Sequence, residues 1–228
     1  MFRRWKIWFQ KELRQLLGIH FIFYYNRAMT MYVVFSVVCI IKNSFKCIND
    51  QLTTVTHCSV ISEDVLDVLK KITELYLDTN KAVECFNDIF GWPVFLCLSQ
   101  NVVYLLFCFA LLSDKKFTSK GGLLAGDIIA VNVLNAILGE WGSVVQIFFF
   151  DLAMQEAKKL TKTCYELEDA LPAYSKEREE LRNLSEIIQS TQTNFKAADF
   201  FEINRSTILA LLGTTTTYMI VIIQFNFL

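Results

Sequence analysis

The chain has 228 residues, of which 54% are hydrophobic, and its mean hydropathy is +0.36. These values lie well above those of soluble domains and indicate a membrane protein. A formal net charge of −1 excludes the strong basic excess of a nucleic-acid-binding protein, while eight glycines and two prolines favour long helices over many-stranded sheets.

Four segments are apolar enough to cross a bilayer, whose hydrocarbon core of about 30 Å requires about 20 helical residues. The predicted spans are residues 21–41, 89–112, 128–150 and 207–228. The first is the weakest, because Arg27 lies near its start, although an arginine there can extend to the interface. We therefore predict an all-α polytopic membrane protein with four transmembrane helices.

Two long polar stretches, 42–88 and 151–206, and a short link, 113–127, separate these spans. Apolar residues in both long stretches recur at helical spacing. Ser62 precedes two acidic residues, as in a helix N-cap, and Pro172 interrupts the helical pattern of the second stretch. Both stretches are predicted to be helical extensions of the membrane helices that pack together on one side of the bilayer.

Four spans place both long stretches on one side of the membrane and the C-terminus on the other. Lysine and arginine number 13 on the long-stretch side, with 5 in 42–88 and 8 in 151–206. They number 9 on the other side, with 6 in 1–27 and 3 in 113–127. The positive-inside rule thus favours cytoplasmic long stretches. The basic residues that precede the first span argue the reverse, a conflict that disappears if residues 1–20 are internal to a longer chain.

Polar residues within the third span form a stripe along one helix face. Glu140 is the single charged residue of that span, and the stripe around it consists of Asn132, Asn135, Gly139, Gly142, Ser143 and Gln146. Small and polar residues of this kind form helix-packing faces with interhelical hydrogen bonds. Ionisable residues at bilayer depth also mark ligand or ion pathways. The sequence leaves both interpretations open.

The last span carries a second polar stripe. Residues seven apart return to nearly the same helix face, about 10 Å along the axis. Thr217 therefore lies in line with Gln224, with Val221 between them, while Tyr218 and Phe225 form a line beside it. An amide that faces hydrocarbon lacks partners, so this stripe faces either another helix or a water-filled axis.

Cysteine and histidine residues give no sign of a metal site or a catalytic centre. Seven cysteines are scattered without a Cys-x-x-Cys pair, and His20 and His57 stand alone. The sequence has no Gly-rich phosphate loop and no Ser–His–Asp or Cys–His arrangement. We expect reduced structural cysteines, no enzymatic activity, no metal and no cofactor.

The last span resembles a known family. Thr217-Tyr218, five apolar residues and Gln224-Phe225 are similar to the TYxxxxxQF signature of insect gustatory receptors. The segments 38–52, 87–96 and 195–209 also resemble that family, so the resemblance covers roughly residues 20–228. Members of the family, like the related odorant receptors, are seven-helix cation channels with the N-terminus inside and the C-terminus outside.

The resemblance implies that residues 1–228 form a single gustatory-receptor-like membrane domain containing helices four to seven, with the first three helices missing. The stretches 42–88 and 151–206 then form a cytoplasmic anchor for a tetramer whose last helix lines the pore. The implied pore-lining residues are Thr217, Val221, Gln224 and Phe225. Val221 and Phe225 narrow the pore, Gln224 forms a polar ring, and Tyr218 bonds a neighbouring helix.

A ligand pocket between the fifth and sixth helices of the receptor is expected to include Tyr104, Asn135, Glu140 and Trp141. The resemblance therefore implies a taste receptor subunit that forms a tastant-gated, non-selective cation channel in the plasma membrane. Its partners are a small-molecule tastant, the lipid bilayer, permeating cations and other receptor subunits in a homo- or hetero-tetramer, with no role for nucleic acid. The alternative is a truncated, non-conducting membrane interaction protein that assembles with full-length receptors.

Overall fold

The computed structural model describes residues 2–57, 63–113, 122–171, 175–191 and 194–227. Within these ranges the chain forms five helices and one short hairpin. The helices are α1 (Phe2–His57), α2 (Glu63–Ser113), α3 (Gly122–Ala170), α4 (Lys176–Ser190) and α5 (Arg205–Phe227). The hairpin pairs β1 (Lys196–Ala197) with β2 (Phe201–Glu202) in antiparallel fashion. Met1–Val37 and Val38–Leu228 form two compact units.

Four helical segments are long and apolar enough to cross a membrane. They are Tyr25–Val55, Val65–Ala110, Ala130–Asp169 and Arg205–Gln224. The predicted helical membrane fold, with four spans in the described residues, is therefore confirmed. The boundaries of the spans stay a prediction, because the helices continue past them without a break. With 51 residues, α2 is about 75 Å long, more than twice the thickness of the hydrocarbon core.

The apolar repeats in the two long stretches form a common core beyond the predicted spans 21–41, 89–112 and 128–150. Phe45 of α1 lies against Tyr76 of α2, with ring centroids 6.2 Å apart, and both side chains are buried. Further buried side chains come from all four helices of this region: Ile48, Leu52, Leu69, Ile72, Leu160, Cys164, Leu181 and Leu184. The stretches are thus helical over 42–57, 63–88, 151–170 and 176–190, as their spacing predicts, whereas residues 194–204 are not helical. Ser62 and Pro172 lie outside the described residues.

An aromatic junction joins α2, α3 and the hairpin segment. The ring of Phe86 lies 5.6 Å from that of Phe150 and 5.2 Å from that of Phe195, and Phe150 lies 4.9 Å from Phe195. All three are edge-on contacts between buried rings, a geometry that aromatic pairs favour. Asn87 forms hydrogen bonds to the backbone on both sides of Phe195. Its side chain donates to the Asn194 carbonyl and accepts from the Lys196 amide, both at 2.9 Å.

The hairpin is an addition to the predicted all-α fold. Ala198 and Asp199 take φ values of 49° and 57°, the left-handed conformation that tight hairpin turns require. The turn lies directly on α2, because a Cβ added to Gly91 would meet the Ala198 nitrogen at 3.1 Å. No glycine or Asn-Gly pair marks this turn in the sequence, so the usual signal for a hairpin is missing.

We predict that Cys164 is inert to thiol reagents in the folded chain. Burial, and secondarily the charge of Glu168, raises the pKa of the Cys164 thiol to about 12, so it stays protonated at neutral pH. Only the thiolate reacts quickly with maleimides. Site-resolved mass spectrometry after brief N-ethylmaleimide treatment should find Cys47 and Cys85, which are exposed, labelled and Cys164 unlabelled. Labelling of Cys164 at the rate of Cys47 would contradict the packing described here.

Candidate functional site

The last helix, α5, begins at a hydrogen-bonded cap. Asn204 Oδ1 accepts from the Ser206 amide at 2.9 Å, and the Thr207 hydroxyl donates to the Glu202 carbonyl at 3.0 Å. These bonds satisfy polar groups at the helix start, where backbone amides have no intrahelical acceptor. They also tie the first turn of α5 to the end of β2.

One face of α5 packs against α2 and α3. Thr207 and Thr215 are the buried side chains between Arg205 and Gln224, and Leu211 and Ile222 are half-buried. The hydroxyls of Thr215, Thr216 and Thr217 donate to carbonyls four residues earlier, at 2.8, 2.8 and 2.9 Å. These three hydroxyls therefore donate within their own helix and need no acceptor from another helix.

The opposite face of α5 is exposed and carries the predicted pore stripe. Thr217 lies about 160° around the helix from Thr215, and Val221 and Gln224 lie within about 40° of Thr217. The side chains of Thr217, Val221 and Gln224 are all exposed. Tyr218 is 54% exposed, and its hydroxyl makes no hydrogen bond within the described residues. The Phe225 side chain lies outside the described residues.

A polar seam joins α2 to α3 inside the membrane. The Asn101 side-chain amide donates to Ser143 Oγ and, at 3.4 Å, to the Gly139 carbonyl. The Tyr104 hydroxyl donates to Asn132 Oδ1 at 2.7 Å. Asn101 and Ser143 are buried. The small and polar stripe of the third span therefore forms interhelical hydrogen bonds, which is the packing interpretation left open by the sequence.

The four residues of the predicted ligand pocket are only partly brought together. Tyr104 lies in the polar seam, while Asn135 and Glu140 are half-buried on α3. Trp141 is 70% exposed, and it lies about 180° around α3 from Asn132. A cavity containing both Tyr104 and Trp141 therefore needs walls from other helices or subunits, and the pocket stays a prediction.

Two polar contacts were not found by sequence reasoning. Asn101 is the partner that completes the seam, and its only sequence signal is an amide within a charge-free span. Arg205 forms an ion pair with Asp151, in which Nε and Oδ2 are 2.5 Å apart. Both residues of that pair lie at the edge of an apolar run. A charged residue at such a position is ordinarily expected to be solvated at the membrane surface, so the sequence gives no sign of the pair.

The sequence matches the 7tm chemosensory receptor family over residues 5–228. The chain belongs to this family. A search of curated proteins finds no match. For a chemosensory receptor, an exposed polar face on the last helix and a hydrogen-bonded seam in the membrane are the features that bear on function. The family assignment is consistent with the resemblance to insect gustatory and odorant receptors, and with the apolar helices it indicates a multi-pass membrane protein.

We predict that Asn101→Leu destabilises this receptor modestly. The change removes the two hydrogen bonds that Asn101 donates while it keeps a branched side chain of four non-hydrogen atoms. Interhelical hydrogen bonds in membrane proteins contribute about 0.6–1.7 kcal/mol. The melting temperature of the detergent-solubilised protein should fall. Val103→Leu is the matched control, because Val103 is 65% exposed on the same turn of α2. An equal melting temperature for both variants would show that the seam adds no stability.

Proposed function

We propose that the chain is a subunit of a tastant-gated, non-selective cation channel in the plasma membrane, with α5 lining the pore. The observation that carries the proposal is the two-sided character of α5. One face of α5 packs against α2 and α3, whereas the face with Thr217, Val221 and Gln224 is exposed. A helix that packs on one side and presents polar groups on the other has the form of a pore-lining element.

Gln224 supports a water-filled axis over a lipid-facing surface. Its amide is exposed directly after the five apolar residues 219–223. An amide without hydrogen-bond partners in an apolar medium costs several kcal/mol, about 1–3 kcal/mol by mutational measures. In a tetramer four copies of Gln224 surround the axis and are hydrated there. Val221 and Phe225 supply the hydrophobic constriction that closes the pore by dewetting.

The threonine hydroxyls support conduction of cations rather than anions. Thr216 and Thr217 are exposed, and each commits its hydroxyl proton to a carbonyl of its own helix. The oxygen lone pairs are therefore the part of the hydroxyl that remains available to solvent or to an ion. A pore wall of such oxygens, without a charged residue between Thr207 and Leu228, favours cations and does not select strongly among them.

The polar seam and the predicted pocket residues support a tastant site on α2 and α3. Tyr104, Asn135 and Glu140 carry hydrogen-bonding groups at bilayer depth, where few side chains compete for a polar ligand. The packed stretches 42–88 and 151–206 serve as the cytoplasmic anchor of a homo- or hetero-tetramer. A non-conducting chain that assembles with other receptors is the alternative outcome of the experiments below.

We expect Val221→Ser to raise the basal cation current of cells that express the chain. Replacing an isopropyl group by a hydroxyl in every subunit wets the constriction and lowers the barrier to water entry. A rise of about tenfold corresponds to only about 1.4 kcal/mol in the opening equilibrium. Patch-clamp recording at matched surface expression measures the effect.

Ile222→Ser is the matched control, because Ile222 is half-buried on the packing face. It should lower surface expression without raising current per surface subunit. Gln224→Cys should in addition make the current sensitive to a positively charged, water-soluble methanethiosulfonate. The pore assignment is wrong if Ile222→Ser raises the current as much as Val221→Ser does. A chain without any current, alone or with other receptor subunits, supports the non-conducting alternative.

The proposed orientation predicts that neither N-glycosylation sequon is modified. Asn183-Leu184-Ser185 and Asn204-Arg205-Ser206 both fall in the stretch assigned to the cytoplasm, although Asn183 is exposed on α4. Endoglycosidase treatment should leave the electrophoretic mass unchanged, and an epitope added after Leu228 should stain intact cells. A mass shift that disappears in Asn183→Gln or Asn204→Gln would reverse the orientation.

A further inference from the structure

A charged contact fixes the first residue of α5 to α3. Arg205 Nε lies 2.5 Å from Asp151 Oδ2, and the Asp151 side chain is only 17% exposed. The Arg205 guanidinium also lies over the Phe148 ring, 5.2 Å from its centroid. Gln155 donates to the same Asp151 oxygen at 2.6 Å. These four side chains are called the Asp151 clamp below.

The Asp151 clamp differs from the other ion pairs of the described residues. Four of them join residues three or four apart, and one joins Arg178 to Glu168. Among these pairs, only Arg205–Asp151 connects the last helix to another helix. Exposed local pairs contribute about 0–1 kcal/mol. A pair with a largely buried carboxylate and an aromatic ring beneath the guanidinium is held more strongly.

The position of the clamp gives it a mechanical role. Asp151 directly follows the apolar run 128–150, and Arg205 lies two residues before the start of the run 207–228. The clamp therefore holds α5 at the point where it enters the membrane. Beyond it, Thr207 and Thr215 are the buried side chains of α5 up to Gln224. Since segments with few buried contacts move most easily, the clamp and the Thr207–Glu202 bond are the contacts that fix the start of this helix.

Helix α3 connects the clamp to the polar seam. Ser143 of the seam and Asp151 of the clamp lie on the same uninterrupted helix, about 12 Å apart along its axis. A displacement of α3 at the seam therefore moves the residue that holds α5. Phe148, which lies between them in sequence, contacts Arg205 directly.

We propose that Asp151 and Arg205 are positioning residues that hold the pore constriction closed by fixing the tilt of the last helix where it enters the membrane. This inference rests on the proposed pore function of α5. A dewetted constriction of four helices requires all four to keep the same tilt, because a small splay widens it enough to admit water. Loss of the clamp leaves the start of each helix held by its cap bonds alone, which permits the splay that opens the constriction.

The test compares basal cation current per surface subunit in Asp151→Asn, in Arg205→Gln and in the double reversal Asp151→Arg with Arg205→Asp. Each single change should raise the current about tenfold, within the range of coupling effects between distinct sites. The double reversal should return the current most of the way to wild type, since it restores the charge pair. Arg182→Gln is the matched control, because its pair with Glu186 is exposed on both sides, and it should leave the current unchanged.

Rescue by the double reversal separates positioning from mere loss of folding. Arg205→Lys keeps the charge but not the two-pronged geometry of the guanidinium, so it should raise the current less than Arg205→Gln does. If the neutral variants do not reach the cell surface, Arg205→Lys is the variant whose current is compared with wild type. Single variants that conduct like wild type, or a double reversal with a larger defect than either single change, would overturn the inference.

A wild-type chain and variants that all conduct nothing would overturn the proposed function instead. The clamp is then judged by the melting temperature of the detergent-solubilised protein. The single changes should lower it, and the double reversal should recover more than half of the loss. No recovery would overturn the clamp as well.

Discussion

The constraint on which this structure depends is that a polar group within a bilayer needs a partner, because hydrocarbon offers none. The chain meets it in two ways. Asn101 and Tyr104 bond across to α3, and Thr215, Thr216 and Thr217 bond back to their own helix. Gln224 follows neither pattern and is exposed. Its amide therefore directs attention to the face of α5 that the protomer itself leaves uncovered.

By the predicted span boundaries, the long helices are also held together outside the membrane, where the hydrophobic effect operates. The apolar core around Tyr76 lies there, and the buried aromatic junction of Phe86, Phe150 and Phe195 lies at the boundary, since Phe150 is the last residue of the predicted third span. Asn49 adds a polar link, since its buried side chain donates to the Glu156 carbonyl at 2.8 Å. Within lipid, by contrast, apolar side chains gain little from mutual contact, and close packing with hydrogen bonds is left to join the helices. The two regions of this receptor are thus stabilised by different forces.

Much of this architecture follows from local patterns. Hydropathy predicts the four spans, and helical spacing predicts the extensions, because both signals repeat over many residues. The stripe around Ser143 is visible in the sequence, but its partner Asn101 is 42 residues away, and nothing local pairs them. The hairpin escapes prediction because Ala198 and Asp199 take left-handed conformations that few side chains favour. Arg205 and Asp151 are likewise far apart in the sequence, so sequence patterns indicate two separate residues at the ends of spans and not an ion pair.

The unbroken length of α2 has a mechanical consequence. The helix passes from the membrane region into the extension without interruption, and Phe86, in the aromatic junction, lies near its middle. Its two arms meet at this junction, and Pro93 lies seven residues beyond Phe86 in the membrane arm, where the missing backbone hydrogen bond makes the helix easier to bend. A rotation of about 5° about the junction displaces the end of an arm of about 35 Å by about 3 Å. The extension receives that movement in full only while the helix stays straight at Pro93, so the packing of the extension and the stiffness of the helix at this proline together set how far α2 tilts within the bilayer.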